Sequence, residues 1–196
     1  MAAVIQTERL TKSYGTNRGI IDAVARAAAS WAVPWLVVDP VMVAKGGDRL
    51  LDPDAERAYV ERLFPLASVL TPNLPEASAL LGREVRTLDD MKAAARDLHR
   101  LGARAVVVKG GHLKGDATDL LWNGRDFTRF TAARVDSANT HGTGCTFSAA
   151  IAAGLARGQA LGDAIRAAKA YVTLAIREGF KAGRGVGQLR HFVTDW

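Results

Sequence analysis

Cysteine is nearly absent from this chain, because Cys145 is the only one among 196 residues. A single cysteine cannot form a disulfide within the chain, and disulfides are rare in the reducing cytoplasm. No group of cysteines and histidines in the sequence has the spacing of a zinc site. We therefore expect a cytoplasmic protein that is held together neither by disulfides nor by structural zinc.

Long apolar runs and blocks of like charge are absent as well. No stretch approaches the roughly 20 apolar residues that span a bilayer, and residues 1–10 lack the apolar core of a signal peptide. The formal net charge is +6, but the arginines are dispersed among acidic residues along predicted helices. We therefore expect neither a membrane protein nor a nucleic-acid-binding protein, and a small anionic ligand suits the charge.

The sequence contains no internal repeat and no low-complexity linker, so residues 1–196 are predicted to form a single domain. Short apolar runs alternate with alanine-rich amphipathic stretches, a pattern typical of βαβ units and a mostly parallel sheet. Asn123 and Gly124 predict a hairpin between the last two strands. The predicted helices are 20–32, 54–64, 76–81, 88–101, 143–156 and 161–178, and the predicted strands are 35–38, 67–70, 105–108, 119–122 and 127–133.

Polar or flexible residues follow three of the predicted strands. In sheets of this kind, ligands bind beyond the carboxyl ends of the strands. We therefore expect the three strand ends to converge on one site. Their residues are Asp39 after the first strand, Asn73 with Glu76 after the second, and Lys109 with Gly110 and Gly111 after the third.

A glycine-rich turn leads into the predicted helix 143–156. Gly142, Thr143 and Gly144 stand immediately before Cys145. The unpaired N–H groups of a helix start, together with the macrodipole, favour an anion there. A thiol in this position is expected to have a lowered pKa and to be partly thiolate near neutral pH. A glycine-containing loop beside a buried structural cysteine is the alternative for this segment alone.

Each strand end also has two interpretations. Lys109 suits a phosphate, or it is a solvated lysine at a turn. Asn73 and Glu76 suit Mg²⁺, or they cap a helix. Asp39 adds a second carboxylate near a metal or phosphate, or it forms a turn before Pro40.

Together the groups at the strand ends fit phosphoryl transfer, which depends on positioning and charge neutralisation. The chain has no Walker-type phosphate loop. Cys145 is the candidate for taking the proton of the accepting hydroxyl.

Four segments that stand in order along the chain carry a family resemblance: VDPVMVAKGG at 38–47, LTPNLPEA at 70–77, VVKGGH at 107–112 and THGTGCT at 140–146. They resemble the hydroxymethylpyrimidine/phosphomethylpyrimidine kinases of thiamine biosynthesis, which are members of the ribokinase superfamily. The resemblance extends from about Lys12 to the C-terminus. It implies a three-layer α/β fold, ATP and Mg²⁺ as cofactors, a small pyrimidine substrate and a homodimer.

The family activity implied is two successive ATP-dependent phosphorylations, first of 4-amino-5-hydroxymethyl-2-methylpyrimidine and then of its monophosphate. Cys145 stands where most ribokinase relatives place an aspartate base. The resemblance also implies a role for each site residue. The anion hole is formed by Gly142, Thr143 and Gly144, Cys145 is the proton acceptor, and Asp39 lies beside the transferred phosphoryl group. The phosphates are bound by Asn73, Lys109, Gly110 and Gly111, Mg²⁺ is bound by Glu76, and the pyrimidine is contacted by Met42 and Val43.

The chain departs from the family pattern at both ends. The family begins with a strand and a Gly/Ser/Asp-rich loop that holds the pyrimidine, and no such segment stands before the matching region. We therefore expect an N-terminally truncated fold that binds nucleotide but phosphorylates the pyrimidine poorly. Gln188 and Arg190 also differ from the family's C-terminal segment. Two other readings stay open, a pyridoxal kinase and a catalytically silent nucleotide-binding or assembly module.

Overall fold

A five-stranded sheet organises the computed structural model, which describes residues 17–42, 50–111, 113–181 and 183–194. In spatial order the strands are β1 (Val37–Val38), β2 (Val69–Leu70), β3 (Val106–Val108), β4 (Ala117–Trp122) and β5 (Phe127–Ala132). Strands β1, β2 and β3 pair in parallel, and β4 is antiparallel to both β3 and β5. Four of the five strands therefore point the same way, which confirms the mostly parallel sheet.

Six α-helices lie within the described ranges, and none of them is long and apolar enough to cross a bilayer. They are α1 (Asn17–Ser30), α2 (Pro53–Ala58), α3 (Leu74–Leu81), α4 (Leu88–Arg100), α5 (Thr143–Ala156) and α6 (Leu161–Arg177).

The predicted helix 54–64 is helical throughout but changes form along its length. After α2 the chain makes a π-helical turn, Tyr59–Leu63, and then a 3₁₀ turn, Phe64–Leu66. Pro65 lies in the 3₁₀ turn, and because proline lacks an N–H donor it cannot continue the helical hydrogen bonding beyond this point.

Strand β3 shows why the fold has three layers. Its three valines are fully buried, and successive side chains of a strand point to opposite faces of a sheet. Val106 and Val108 pack in a cluster that includes Met91 of α4 and other residues of α3 and α4. Val107 packs in a second cluster that includes Ile151 of α5 and residues of α6. Helices therefore cover both faces of the sheet, as the α/β resemblance implied.

Helix α1 lies beside α2 rather than on the central sheet. Ile21 and Ala25 pack against Ala55, Ala58 and Leu63 in a third, smaller cluster. The helix begins and ends earlier than the predicted 20–32, since it spans Asn17–Ser30.

The predicted hairpin joins β4 to β5 through residues 123–126. Asn123 Oδ1 accepts hydrogen bonds from the backbone N–H groups of Arg125, at 2.9 Å, and Asp126, at 2.7 Å. Gly124 has a φ of +90°, which an L side chain rarely adopts. Asn123 therefore supplies the hydrogen-bond acceptor of the turn, and Gly124 supplies its left-handed backbone conformation. The hairpin prediction is confirmed.

Candidate active site

The carboxyl ends of the three parallel strands meet at one edge of the sheet. Asp39, Asn73 and Lys109 follow β1, β2 and β3 respectively. Asn73 and Lys109 form a parallel bridge, and the Lys109 N–H donates to the carbonyl oxygen of Pro72 at 2.8 Å. Lys109 Nζ donates to Asp39 Oδ1 at 2.5 Å. The structure thus brings together the residues that follow three separate strands.

The Lys109–Asp39 ion pair is largely buried, with side-chain exposures of 11% and 14%. Removing one partner of such a pair leaves an uncompensated charge, at a cost of about 3–5 kcal/mol. Asp39 Oδ2 is also buried, and it has no hydrogen-bond partner among the described residues. Because buried polar atoms are nearly always paired, this oxygen points to a ligand that the strand ends receive.

Glu76 and Asn73 form a reciprocal cap at the start of α3. The Asn73 N–H donates to Glu76 Oε2 and the Glu76 N–H donates to Asn73 Oδ1, both at 2.8 Å. Burial raises the pKa of Glu76, and the nearby positive charge of Lys109 offsets this only in part. The capping interpretation is therefore realised, and a buried carboxylate stands at the same strand edge as Asp39.

These carboxylates fit a Mg²⁺ ion that is carried by a phosphate ligand. Among the described residues, no group of three or more His, Cys, Asp or Glu side chains is arranged to hold a metal. Mg²⁺ seldom needs such a cage, because it takes one or two carboxylates, several waters and the phosphate oxygens of a substrate. The unpartnered Asp39 Oδ2 is one suitable ligand, and Glu76 supplies a second carboxylate at the same edge.

Helix α5 begins without a cap beside Lys109. Gly142 adopts a φ of +82° at the N-cap position, and no described side chain caps the first turn. A Cβ atom on Gly144 would lie 3.0 Å from Lys109 Nζ, so glycine lets the helix start approach the lysine closely. Gly142, Thr143 and Gly144 therefore lie where both the helix start and a lysine favour an anion.

The thiol of Cys145 does not have the lowered pKa that its position predicted. Although Cys145 is exposed by surface area, partial removal from water raises the pKa of its thiol, and the nearby Asp39 carboxylate raises it further. Lys109 acts in the opposite direction but is outweighed. The expectation of a partly ionised thiolate was wrong, because it considered the helix start and left out both the partial removal of the thiol from water and the carboxylate next to it.

Three residues near the site were missed by the sequence reasoning. Thr71 Oγ1 lies 2.8 Å from Ser148 Oγ and 3.2 Å from Asp39 Oδ1, and Ser148 Oγ donates to the Gly144 carbonyl oxygen. Burial, followed by the charges of the nearby carboxylates, raises the pKa of Tyr59. Thr71 was visible as the polar residue that ends an apolar strand, whereas no local sequence pattern indicates that Tyr59 lies near these carboxylates.

The two glycines after Lys109 differ in the space around them. Gly110 is buried, and a Cβ atom there would lie 1.9 Å from the Thr118 carbonyl oxygen, so only glycine fits. Gly111 is exposed, and a Cβ atom on it would meet nothing within 4 Å. Gly110 therefore packs closely against the neighbouring strand β4, and the assignment of both glycines to the phosphates stays a prediction.

The segment that follows Gly110 is held by Arg134, which the sequence reasoning also missed. Its guanidinium donates to the carbonyl oxygens of Gly111 at 2.8 Å, Leu113 at 2.6 Å and Gly115 at 2.7 Å. Three donors on one planar group therefore hold the start, the middle and the end of a short turn.

Of the two predicted pyrimidine contacts, Met42 lies away from the strand-end residues of the site. Met42 is buried and lines a cavity of 210 Å³ together with Val60, Ala79 and Leu80. None of the strand-end residues of the site is among the described residues that line this cavity. Val43 lies outside the described residues, so both assignments stay predictions.

The sequence matches the profile of the family described as phosphomethylpyrimidine kinase over residues 16–190. It is 51% identical over 175 residues to the thiamine biosynthesis bifunctional protein ThiED of Geobacter sulfurreducens, covering 89% of this chain and 36% of that protein. It is 52% identical over 164 residues to the hydroxymethylpyrimidine/phosphomethylpyrimidine kinase of Rhizobium meliloti, covering 82% of this chain and 62% of that enzyme.

The fold is also similar to that of a solved ADP complex of Bacillus subtilis pyridoxal kinase. The TM-score is 0.81 and the identity is 42%, over 89% of this chain and 65% of the pyridoxal kinase. The chain therefore spans less than two thirds of the length of each of these three relatives.

Proposed function

Because the chain belongs to the phosphomethylpyrimidine kinase family, we propose that it transfers phosphoryl groups from ATP to 4-amino-5-hydroxymethyl-2-methylpyrimidine and to its monophosphate. These reactions belong to thiamine diphosphate biosynthesis. The observation that carries the proposal is the buried Lys109–Asp39 pair beside the uncapped start of α5. In this arrangement the Lys109 ammonium group lies beside the unpaired N–H groups at the start of α5, so both can act on the same phosphate.

Lys109 and the start of α5 are suited to the phosphates of the nucleotide. An ammonium group has three donors, and the bond to Asp39 uses one of them. The remaining donors and the N–H groups at residues 143–145 can act on the oxygens of the transferred group. Because the transition state of phosphoryl transfer spreads charge over these oxygens, fixed donors of this kind accelerate the reaction by positioning and by neutralising charge.

We assign the Mg²⁺ that accompanies ATP to Glu76 and Asp39, with Asn73 and Gly110 beside the phosphates. A bound Mg²⁺ neutralises charge on the phosphate oxygens. The support in this chain is the buried, unpartnered Asp39 Oδ2 together with the buried Glu76 carboxyl at the same edge of the sheet.

Cys145 is proposed to lie beside the accepting hydroxyl. Burial and Asp39 raise the pKa of its thiol, so the thiol is protonated at neutral pH and is poorly suited to act as a covalent nucleophile. Because a protonated thiol cannot accept the proton of that hydroxyl, we assign Cys145 contact with the hydroxyl rather than the general-base role that the sequence suggested.

A coupled assay for ADP formation tests the proposal. The decisive variant is the double substitution Asp39→Asn/Lys109→Met, which removes both charges and leaves neither of them buried alone. We expect weak but measurable pyrimidine-dependent turnover in the wild-type chain and a further loss of at least about tenfold in kcat/KM in the variant. The matched control is Asp163→Asn/Arg166→Met, which removes an exposed pair on α6 and should stay within about twofold of wild type.

Two results would contradict this function. Equal turnover in the wild-type chain and the Asp39/Lys109 variant would show that these two residues take no part in the reaction. Nucleotide binding without any pyrimidine-dependent turnover would make the chain a nucleotide-binding module.

Pyridoxal phosphorylation is the second candidate, and the similarity to the pyridoxal kinase structure favours it. The same assay separates the two activities if kcat/KM is measured for pyridoxal and for the pyrimidine alcohol under identical conditions. A higher value for pyridoxal would replace the pyrimidine assignment.

We further propose a homodimer located in the cytoplasm. Large apolar side chains are exposed on and after α1, including Trp31 at 76% and Trp35 at 45% exposure. Burial of such residues between two copies would be favourable. Light scattering during gel filtration measures the mass directly, and a mass of one chain at micromolar concentration would exclude the dimer.

A further inference from the structure

A second buried ion pair lies next to the Lys109 strand end, and the reaction proposed above does not use it. Asp119 of β4 and Lys169 of α6 have side-chain exposures of 8% and 12%. Lys169 Nζ donates to Asp119 Oδ2 at 2.7 Å. The pair joins the sheet to the helix layer formed by α5 and α6, across 50 residues of sequence.

The other oxygen of the same carboxylate holds the turn after β3. Asp119 Oδ1 accepts a hydrogen bond from the Gly110 N–H at 3.0 Å. That N–H belongs to the peptide unit joining Lys109 to Gly110, so the bond fixes the backbone on the carboxyl side of the lysine. The close packing of Gly110 against the Thr118 carbonyl oxygen holds the same unit from the side.

Stability alone does not account for a charged pair in this place. Well-packed apolar residues usually stabilise a protein at least as well as a buried ion pair does. An apolar residue cannot accept a hydrogen bond from the Gly110 N–H, whereas a carboxylate held by a lysine accepts it in one fixed direction. The pair therefore fixes the orientation of the Gly110 N–H, and with it the backbone beside Lys109.

We infer that Asp119 is a positioning residue, held in place by Lys169, that orients the Lys109–Gly110 peptide so that Lys109 meets the phosphates of the bound nucleotide. This inference rests on the proposed function, because it assumes that Lys109 binds those phosphates. Neither Asp119 nor Lys169 is assigned a contact with the nucleotide. Their effect passes through Gly110 to the lysine.

Two double variants separate orientation from simple packing. Asp119→Leu/Lys169→Met removes the acceptor and both charges together. Asp119→Asn/Lys169→Met also removes both charges, but it keeps a side-chain oxygen that can accept from the Gly110 N–H. Dissociation constants for ATP and for adenosine, measured by calorimetry, report phosphate and base recognition separately, and circular dichroism melting reports the fold.

We expect Asp119→Leu/Lys169→Met to weaken ATP binding by about tenfold while its adenosine affinity stays within about twofold of wild type. Asp119→Asn/Lys169→Met should stay within about threefold of wild type for both ligands. The exposed-pair control Asp163→Asn/Arg166→Met should change neither affinity.

Unchanged ATP affinity in the Leu/Met variant overturns the inference while leaving the proposed function in place. A parallel loss of ATP and adenosine affinity in both variants, with a lowered melting temperature, reduces the pair to a structural role and also overturns it. A wild-type chain that does not bind ATP overturns the proposed function, and the inference with it.

Discussion

At the scale of single residues, Cys145 shows how a neighbouring charge changes the chemistry of a helix start. Partial burial and Asp39 raise the pKa of its thiol, so less thiolate is present at neutral pH than in a free cysteine. We expect iodoacetamide to modify Cys145 more slowly than it modifies glutathione at pH 7, with a rate that rises as the pH is increased through the raised pKa. Mass spectrometry of the intact chain measures the rate.

The same experiment has an internal check. Asp39→Asn/Lys109→Met removes the carboxylate beside the thiol without leaving a charge buried alone, and it should accelerate the modification. The exposed-pair control Asp163→Asn/Arg166→Met should leave the rate unchanged. Modification of the wild-type chain that is faster than that of glutathione at pH 7 would show that the helix start dominates after all.

At the scale of secondary-structure elements, two substitutions of Glu76 at the start of α3 distinguish its capping role from its proposed role in binding Mg²⁺. Glu76→Gln keeps an oxygen for the Asn73 N–H, whereas Glu76→Ala loses that cap, at a cost of about 1 kcal/mol. Both variants remove the carboxylate. We expect each to lower Mg²⁺-dependent turnover by at least about tenfold, while only the alanine variant loses stability in urea unfolding at pH 7.

The pH dependence of the glutamine variant follows from the raised pKa of Glu76. Burial makes ionisation less favourable in the folded chain than in the unfolded one, so the wild-type chain loses stability as the pH rises through the raised pKa. The glutamine variant avoids this loss. Its advantage should therefore be largest at neutral pH and should vanish below the ordinary glutamate pKa of about 4.3. An advantage that grows on acidification would reverse the assignment.

The connection from β3 to β4 provides a matched pair of glycine substitutions. Gly110→Ala would place a methyl group 1.9 Å from the Thr118 carbonyl oxygen, while Gly111→Ala would place one in open space. We expect the first to lower the free energy of unfolding by about 3 kcal/mol, and the second to change it by less than about 0.5 kcal/mol. Equal stabilities in urea unfolding would mean that the strand end is not tightly packed at Gly110.

At the scale of the whole molecule, ligand binding and stability are linked. ATP with Mg²⁺ at 100 times its dissociation constant should raise the free energy of unfolding by about 2.7 kcal/mol. For a chain of 196 residues, this corresponds to a rise in Tm of roughly 5–11 °C. Scanning fluorimetry measures the shift, with Mg²⁺ alone as the control. An unchanged Tm at millimolar ATP would contradict nucleotide binding by the folded chain.

Much of the architecture can be predicted because short stretches of the sequence indicate the helices and strands that they form. Helix α5 has the predicted bounds, and α6 differs from its prediction by one residue, because apolar periodicity and the flanking turn residues mark both. The convergence of Asp39, Asn73 and Lys109 follows from parallel pairing, since Asp39 and Lys109 come directly after their strands and Asn73 comes shortly after β2.

The remaining features depend on contacts between segments that are distant in the chain. No pattern around Asp119 indicates Lys169, which lies 50 residues further on. The raised pKa of Cys145 depends first on burial and then on Asp39, which lies far from it in the sequence, and local spacing therefore predicted the wrong direction. The π-helical turn that contains Tyr59 also has no period distinct from that of an ordinary helix.

The ion pair between Lys109 and Asp39 has a consequence for the order of events during folding. It joins residues 70 positions apart, and the contact of Thr71 with Ser148 joins residues 77 apart. Loops of this length lose chain entropy before their contacts form, so such pairings arise slowly compared with single helices. We therefore expect the site to be completed only after the sheet has assembled around it. If the folded chain binds nucleotide as proposed, that binding reports a finished fold, and incompletely folded copies should not sequester ATP.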